Sequence, residues 1–137
     1  MREPPEVPGE LVDRLGAVCL ALPEAYQEPA WVGVRWWVRG RTFAHVLKIE
    51  DGWPPAYARA VDAGGPLVVL TFRSSAEELA ALANTGYPFF RPTWGPNVVG
   101  MVLDGDVDWA EVTELLIESY CLRAPRKLTA LVDRPGS

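Results

Sequence analysis

The chain has 137 residues, 49% of them hydrophobic, so it can bury one substantial core and lacks the composition of a disordered segment. Its net charge of −5, with thirteen lysines and arginines, excludes a general nucleic-acid coat, whose affinity comes largely from cations that neutralise phosphates. No apolar run approaches the length needed to cross a bilayer, and the opening MREPPEVPGE lacks the basic and apolar parts of a secretory signal, so no membrane and a cytoplasmic location are expected.

Residues 1–8 read as a flexible tail. A helix is expected from Gly9 to about Leu22, with Leu11, Leu15, Val18 and Leu22 on one stripe and Pro23 closing it. Cys19 falls within this pattern and Cys121 within a later one. Their spacing matches no metal motif, and both are expected as reduced core residues. The stretch AWVGVRWWVRGRTFAHVLKI, residues 30–49, then holds three tryptophans and four cations without a carboxylate. Arg39-Gly40 suits a two-residue hairpin turn, which would place Trp36 opposite Phe43 and Val34 opposite His45. Period-two alternation puts Val34, Trp36, Val38, Phe43, Leu47 and Ile49 on a core face. Arg35, Trp37, Arg39, Thr42, Ala44, Val46 and Lys48 then share a mixed face with cations at its margins.

GWPPAYARAVDAGG is loop, with one helical turn expected around Ala56 to Val61. PLVVLTFR is a strand by its β-branched and aromatic content. SSAEELAALANTG is a helix, with Ser75 three residues before Glu78 at its start and Gly86 after its stop. YPFFRPTWGPN is irregular and aromatic, and VVGMVLD is a further strand. DVDWAEVTELLIESYCL is a long helix that Asp108 can cap, with Val112, Leu115, Leu116 and Tyr120 as its buried stripe. APRKLTALV is a short final helix, and residues 132–137 form a second tail. The whole is one domain of the α+β class. It is a two-layer sandwich with an antiparallel sheet and the long N- and C-terminal helices packed on one face.

The second half, from YPFFRPTWGPN to APRKL, resembles the MmcQ/YjbR family. The match lies in order and spacing: an aromatic segment, the strand Val98 to Asp104 ending in Leu-Asp, the acidic turn Asp106 to Asp108, the Glu-Leu-Leu-x-x-Ser-Tyr run Glu114 to Tyr120, and the tail Ala124 to Leu128. CLALPEAYQEPAW followed by GRTFAHV, with Gly40 and Phe43 in family-like positions, extends the resemblance over residues 11–131. The chain departs from the pattern in its long loop DGWPPAYARAVDAGG and in an Arg where Lys often precedes the hairpin phenylalanine. The resemblance implies a frataxin-like (CyaY-like) sandwich, and members of the family commonly carry a DNA-binding label.

Candidate functional residues follow from charge and aromatic content. His45 is the only histidine and has no G-x-S-x-G or similar nucleophile motif with it, so it reads as a sheet residue. The carboxylates Asp104, Asp106, Asp108, Glu111, Glu114 and Glu118 read as a turn and a solvated helix face; a hard divalent cation is the sharper alternative. Of six tryptophans, Trp36 and Trp109 read as core, and Trp31, Trp37, Trp53 and Trp94 as loop or second-face residues. Trp37 with Arg35, Lys48, Arg73 and Arg91 would make a stacking and cationic surface suited to single-stranded nucleic acid. Arg39, Arg41, Arg126 and Lys127 add cations, and Trp94 adds a second stacking ring. Arg123, Arg126, Lys127 and Arg134 make the C-terminal stretch basic and complement the negative end of the preceding helix. No P-loop, GxGxxG, CxxC or HExxH pattern is present, so no catalytic residue, metal or cofactor is nominated. The expectation is a non-enzymatic binding module, monomeric or weakly dimeric, that takes nucleic acid weakly and in a salt-dependent way. The alternative partner for the same aromatic face is a protein or a metabolite.

Overall fold

In the computed structural model, which describes residues 5–92 and 94–133, Arg39 and Gly40 both adopt positive φ, 51° and 75°. They form the expected tight turn between β2 (Val34–Val38) and β3 (Arg41–Ile49). Pairing starts with Val38 opposite Arg41 and Trp37 opposite Thr42. One residue is then left over, and Trp36 faces Ala44, Arg35 faces His45, and Val34 faces Val46. Phe43 is the extra residue of a β-bulge.

The bulge corrects the expected register and inverts the faces of the rest of β3. Ala44 and Val46 join Trp36, Val38 and Phe43 in the main core, while Leu47 and Ile49 cross to the other side. Lys48, two residues beyond Val46 and opposite Val68, therefore points to the helix side of the sheet. The physical reason lies in FAHVLKI, which is apolar at both parities and so tolerates either face.

A bulge leaves backbone groups that the ladder cannot pair. β4 (Leu67–Arg73) runs antiparallel to β3 as far as Ala44 opposite Phe72, and the next rung would join Phe43 to Arg73. The hydroxyl of Ser119, from α4 (Trp109–Arg123), stands in that rung. It accepts the Arg73 backbone N–H at 2.8 Å and donates to the Phe43 carbonyl. The adjacent Tyr120 sets its ring edge-on against Phe43, centroids 5.4 Å apart, and donates its hydroxyl to the Pro23 carbonyl at 2.6 Å. Ser119 and Tyr120 are both fully buried. Two neighbouring helical residues thus hold the bulge by its backbone and by its ring.

Among the described residues the sheet has six strands in the order β1-β2-β3-β4-β6-β5, all neighbours antiparallel. The edges are β1 (Tyr26–Pro29) and β5 (Phe89–Phe90), both outside the expected set; β6 (Val98–Val102) lies between β4 and β5. Gly100 in β6 lets β5 come close, since a Cβ there would lie 2.2 Å from the Phe90 ring.

α1 (Gly9–Cys19) and α4 pack on one face, as expected, over Trp36, Val38, Phe43 and Val46. α1 stops three residues early, and a turn carries the buried Leu22 to the core. Gly16 allows the close approach of α1: a Cβ there would lie 3.1 Å from Gln27 Oε1, which accepts the Trp36 indole N–H at 2.8 Å. α3 (Ala76–Thr85) and α4 begin on their expected caps, with Ser75 accepting Glu78 N–H at 3.2 Å and Asp108 accepting Glu111 N–H at 3.1 Å. α5 (Arg126–Thr129) buries Leu128 in the same core. Cys19 is buried and Cys121 half-buried, neither in a disulfide, and burial pushes the Cys19 thiol far up. Trp109 is only half-buried, with the Arg14 guanidinium 4.2 Å from its ring centre.

The second face is not bare. α2 (Pro55–Val61), with Trp53, packs on Leu47, Ile49, Val69 and Val102 and covers one half of it. Val7 and Val132 rest against the main core. Residues 1–4 and 134–137, hence Arg134 and the outer parts of both expected tails, lie outside the described residues.

Replacing Ser119 by Ala removes the donor and the acceptor that serve the bulge. Ser119→Ala is expected to lower unfolding free energy by about 2–4 kcal/mol, because two buried backbone groups lose their partner at once. Urea denaturation monitored by tryptophan emission checks this. A loss under about 1 kcal/mol would show that the rung is closed in another way.

Candidate binding cleft

The half of the second face that α2 leaves uncovered presents Arg35, Thr42, His45, Thr71 and Arg73 as neighbours on three strands. They floor a cleft of about 460 Å³. Three aromatic side chains from outside the sheet line it: Trp31 from the β1–β2 turn, Tyr57 from α2 and Trp94 from the segment before β6.

The β1–β2 turn is held by Ala30 N–H on the Gly33 carbonyl at 3.0 Å. Gly33 has φ of 76°, and a Cβ there would lie 1.9 Å from the Val46 carbonyl oxygen, so only glycine lets the turn lie against β3. That closeness delivers the Val32 carbonyl to 2.6 Å from His45 Nε2. The ring nitrogen facing a carbonyl must carry the proton, which leaves Nδ1 as acceptor for the Tyr57 hydroxyl at 3.4 Å. Burial holds His45 below the usual histidine range and the Arg35 charge adds to this, against the opposing pull of the Val32 bond. Burial likewise pushes the Tyr57 hydroxyl up. The aromatic rings are linked in turn: Tyr57 meets Trp94 at 4.6 Å and His45 at 6.2 Å, and Trp31 meets Trp53 at 5.4 Å, all edge-on. Trp31 remains 79% exposed, so one flat face of the wall is open to a ligand.

Charge is distributed less evenly than composition suggests. Arg35 donates from Nε to Glu28 Oε1 at 2.7 Å, closes a second contact to the same oxygen, and stacks 4.2 Å from the Trp37 ring centre. Arg39 makes two bonds to Glu24, at 2.7 and 3.0 Å, on the exposed hairpin tip. That contact, first of all, holds the Glu24 carboxyl low. Arg73 makes no ion pair among the described residues, though it also lines a smaller cavity with Glu78, Glu114 and Glu118.

Of the residues singled out from the sequence, the fold gathers Arg35, Arg73 and Trp94 in the cleft, with Trp37 alongside through Arg35. Trp37 itself is covered by Tyr26 at 5.1 Å, and its indole N–H is buried with no partner among the described residues. Arg91 lies on the outer side of Trp94, in a shallower concavity. Arg39 is at the hairpin tip, Arg41 and Lys48 face the helix side, and the exposed Arg126 and Lys127 begin α5 there too. Tyr57, Thr42 and Thr71 line the site although none is among the residues expected there, and His45, expected only as a sheet residue, joins them. Tyr57 had one usable signal, the paired prolines ahead of AYARAV, which favour a helix start just before it. Among the described residues no cluster of His, Cys, Asp and Glu is placed to hold a metal, and the acidic strip from Asp104 to Glu118 is exposed, with Asp108 serving as cap.

Two solved structures share this architecture. A protein from Pseudomonas syringae superposes with a TM-score of 0.64 at 12% identity, covering 86% of this chain and 99% of its own. A protein from Deinococcus radiodurans with a DUF419 domain superposes at 0.58 and 21% identity, covering 92% and 90% respectively. The search of curated proteins gave no match. The family model described as YjbR matches residues 20–122, well over half the sequence and a span that includes the cleft, the bulge and α4 through Ser119 and Tyr120. The chain belongs to the YjbR family.

Proposed function

We propose that this protein is a binding module, not an enzyme, and that its cleft takes a planar aromatic group carrying an anion. That is the chemistry of a nucleotide, supplied by a single nucleic-acid strand or as a free molecule. The observation that carries this reading is Arg73, which makes no ion pair among the described residues, on the floor beneath Trp31, Tyr57 and Trp94. A base stacked on such a ring is worth about 1–3 kcal/mol, and a guanidinium holds a phosphate through paired charge-assisted bonds. The cleft volume suits one nucleotide-sized group. Both nitrogens of His45 are engaged within the protein, which favours a structural wall over proton transfer.

The ion pairs at Arg35 and Arg39 argue against a long cationic track. Binding of a short single strand should therefore be weak, with a dissociation constant of about 10⁻⁴ to 10⁻⁶ M. It should lose affinity with salt on a log–log slope of only about −0.7 to −1.4, as one or two phosphate contacts dictate. Quenching of tryptophan emission during titration with an oligothymidylate, and separately with a free nucleotide, measures this and tells the two sources apart. Trp94→Ala and Arg73→Gln should each weaken binding about tenfold, a change of about 1.4 kcal/mol. Trp37→Ala, outside the cleft lining, should do less. No quenching at low salt overturns the reading. Quenching indifferent to salt would instead assign the exposed Trp31 and its neighbours to an apolar protein segment.

His45 makes stability depend on pH. Its folded value lies below the unfolded value of about 6.5, so the unfolded chain binds the proton more readily between the two. The stabilising contribution is complete above about pH 6.5 and is lost as the pH falls below it, by at most about 1.4 kcal/mol at pH 5.5. Comparing urea midpoints at pH 7.5 and 5.5 should show a smaller drop in His45→Gln than in the parent protein. Equal drops would mean that His45 titrates normally.

A further inference from the structure

A second cavity, of about 230 Å³, opens on the helix side of the sheet, where β4 ends and α3 begins. Glu114, Leu115, Glu118 and Leu122 line it from α4, at the helical spacing that brings them to one stripe. Glu78 lines it from the first turn of α3.

Ser74 distinguishes this cavity from an ordinary acidic surface. Its backbone N–H bonds the Asn97 carbonyl at 2.9 Å, which extends the β4–β6 ladder one rung beyond Arg73 opposite Val98. Strand alternation then turns Ser74 to the same side as the core residue Phe72, toward the cavity, and Arg73 toward the cleft. Ser74 is only 4% exposed, and its Oγ has no hydrogen-bond partner among the described residues. The neighbouring hydroxyls are already engaged, Ser75 in the α3 cap and Ser119 in the bulge. A buried hydroxyl left without a protein partner is satisfied from the cavity it faces, by water or by a ligand.

The charge of the walls selects that ligand. Three carboxylates stand against the one guanidinium of Arg73, so the lining is net negative. Neither Glu78 nor Glu114 makes an ion pair among the described residues. Among those residues no carboxylates converge closely enough to hold a metal ion, so a bare ion fits less well than a group that spreads its contacts. Leu115 and Leu122 add apolar wall beside the acids, and Leu122 is left 48% exposed. An ammonium on an aliphatic stem meets all of these at once, with N–H donors for the hydroxyl and carboxylates and methylenes for the leucines.

We infer that the cavity between α3 and α4 is a seat for an aliphatic primary amine. Its ammonium group donates to Ser74 Oγ, Glu78 and Glu114, and its alkyl stem lies on Leu115 and Leu122. A free diamine and a lysine side chain share this chemistry. The volume, below the roughly 300–1,000 Å³ of drug-sized sites, suits a chain end rather than a ring. The seat lies across the sheet from the aromatic cleft and does not depend on what fills that cleft.

The test is a titration of isotope-labelled protein, followed by backbone-amide NMR shifts, with cadaverine, with acetyl-lysine methylamide and with pentanol. Cadaverine is expected to shift the amides of Ser74, Ser75 and Glu78 saturably at millimolar concentration and low salt, and pentanol should not. A lysine derivative that matches cadaverine assigns the seat to a lysine side chain, and a much weaker response assigns it to a free amine. Ser74→Ala should weaken cadaverine about tenfold, and Glu114→Gln about twofold to fivefold. Ser74→Ala should leave the urea midpoint of the free protein unchanged or higher, because its hydroxyl has no protein partner to lose. A lower midpoint with cadaverine binding intact would make Ser74 a residue of the fold alone and overturns the seat. Absent shifts, shifts spread along the whole acidic strip, or equal shifts with pentanol overturn it too. Glu114 is exposed, so binding indifferent to Glu114→Gln also overturns it, even if Ser74→Ala unfolds.

Discussion

One hydroxyl group holds the architecture in register. Ser119 takes the place of a ladder bond, accepting from one strand and donating to the next, and a side-chain hydroxyl is the smallest group that does both. With that rung satisfied, Phe43 can be the extra residue of a bulge without an orphaned carbonyl. With the bulge in place, Ala44 and Val46 turn into the core and His45 turns to the opposite face. The same bond fixes where α4 lies across the sheet end. Helix, sheet and cleft are thus tied at a single buried point, and Tyr120 secures the bulge from its other side through the Phe43 ring and Pro23.

The cleft exists because the second face of the sheet is covered unevenly. α2 has seven residues, enough to seal Leu47, Ile49, Val69 and Val102, and too few to reach Thr42 or Arg73. What remains open is a polar floor with aromatic sides, in a protein whose overall charge is negative. Local pairing resolves the apparent conflict. Glu24 and Glu28 pair with two of the arginines in the basic stretch, which leaves Arg73 as the cation of the cleft floor without an ion pair among the described residues. Binding of an anion there would depend on a focused local field and not on net charge.

Much of the fold was legible because amphipathic periodicity and caps are local. Leu15, Leu116 and Tyr120 announced their burial by helical spacing, and Ser75 and Asp108 announced helix starts. The hairpin turn at Arg39-Gly40 was equally plain. The bulge was not, since FAHVLKI offers an apolar residue on either face and the deciding partner, Ser119, lies 76 residues away. β1 escaped notice because YQEP lacks apolar alternation, and β5 because two residues carry no period. The site was legible only as a mixture. Aromatic and cationic residues clustered in the sequence, yet which cations stayed unpaired depended on contacts such as Glu24 to Arg39, set by chain reversal rather than by spacing. Tyr57 and Trp94 come from loop-rich segments whose placement only the assembled sheet determines.

The two ends of the sheet have a further consequence for the molecule among other proteins. Exposed strand edges are templates for unwanted strand addition, and long flat ones invite aggregation. Here one edge is four residues long, contains Glu28 and stops at Pro29, which has no N–H to offer; the other is a dipeptide. Neither gives an incoming chain enough backbone to pair with. Recognition by this domain is therefore directed away from edge-to-edge pairing and toward side chains, with the broad surface of the sheet left as the place where selectivity can be written.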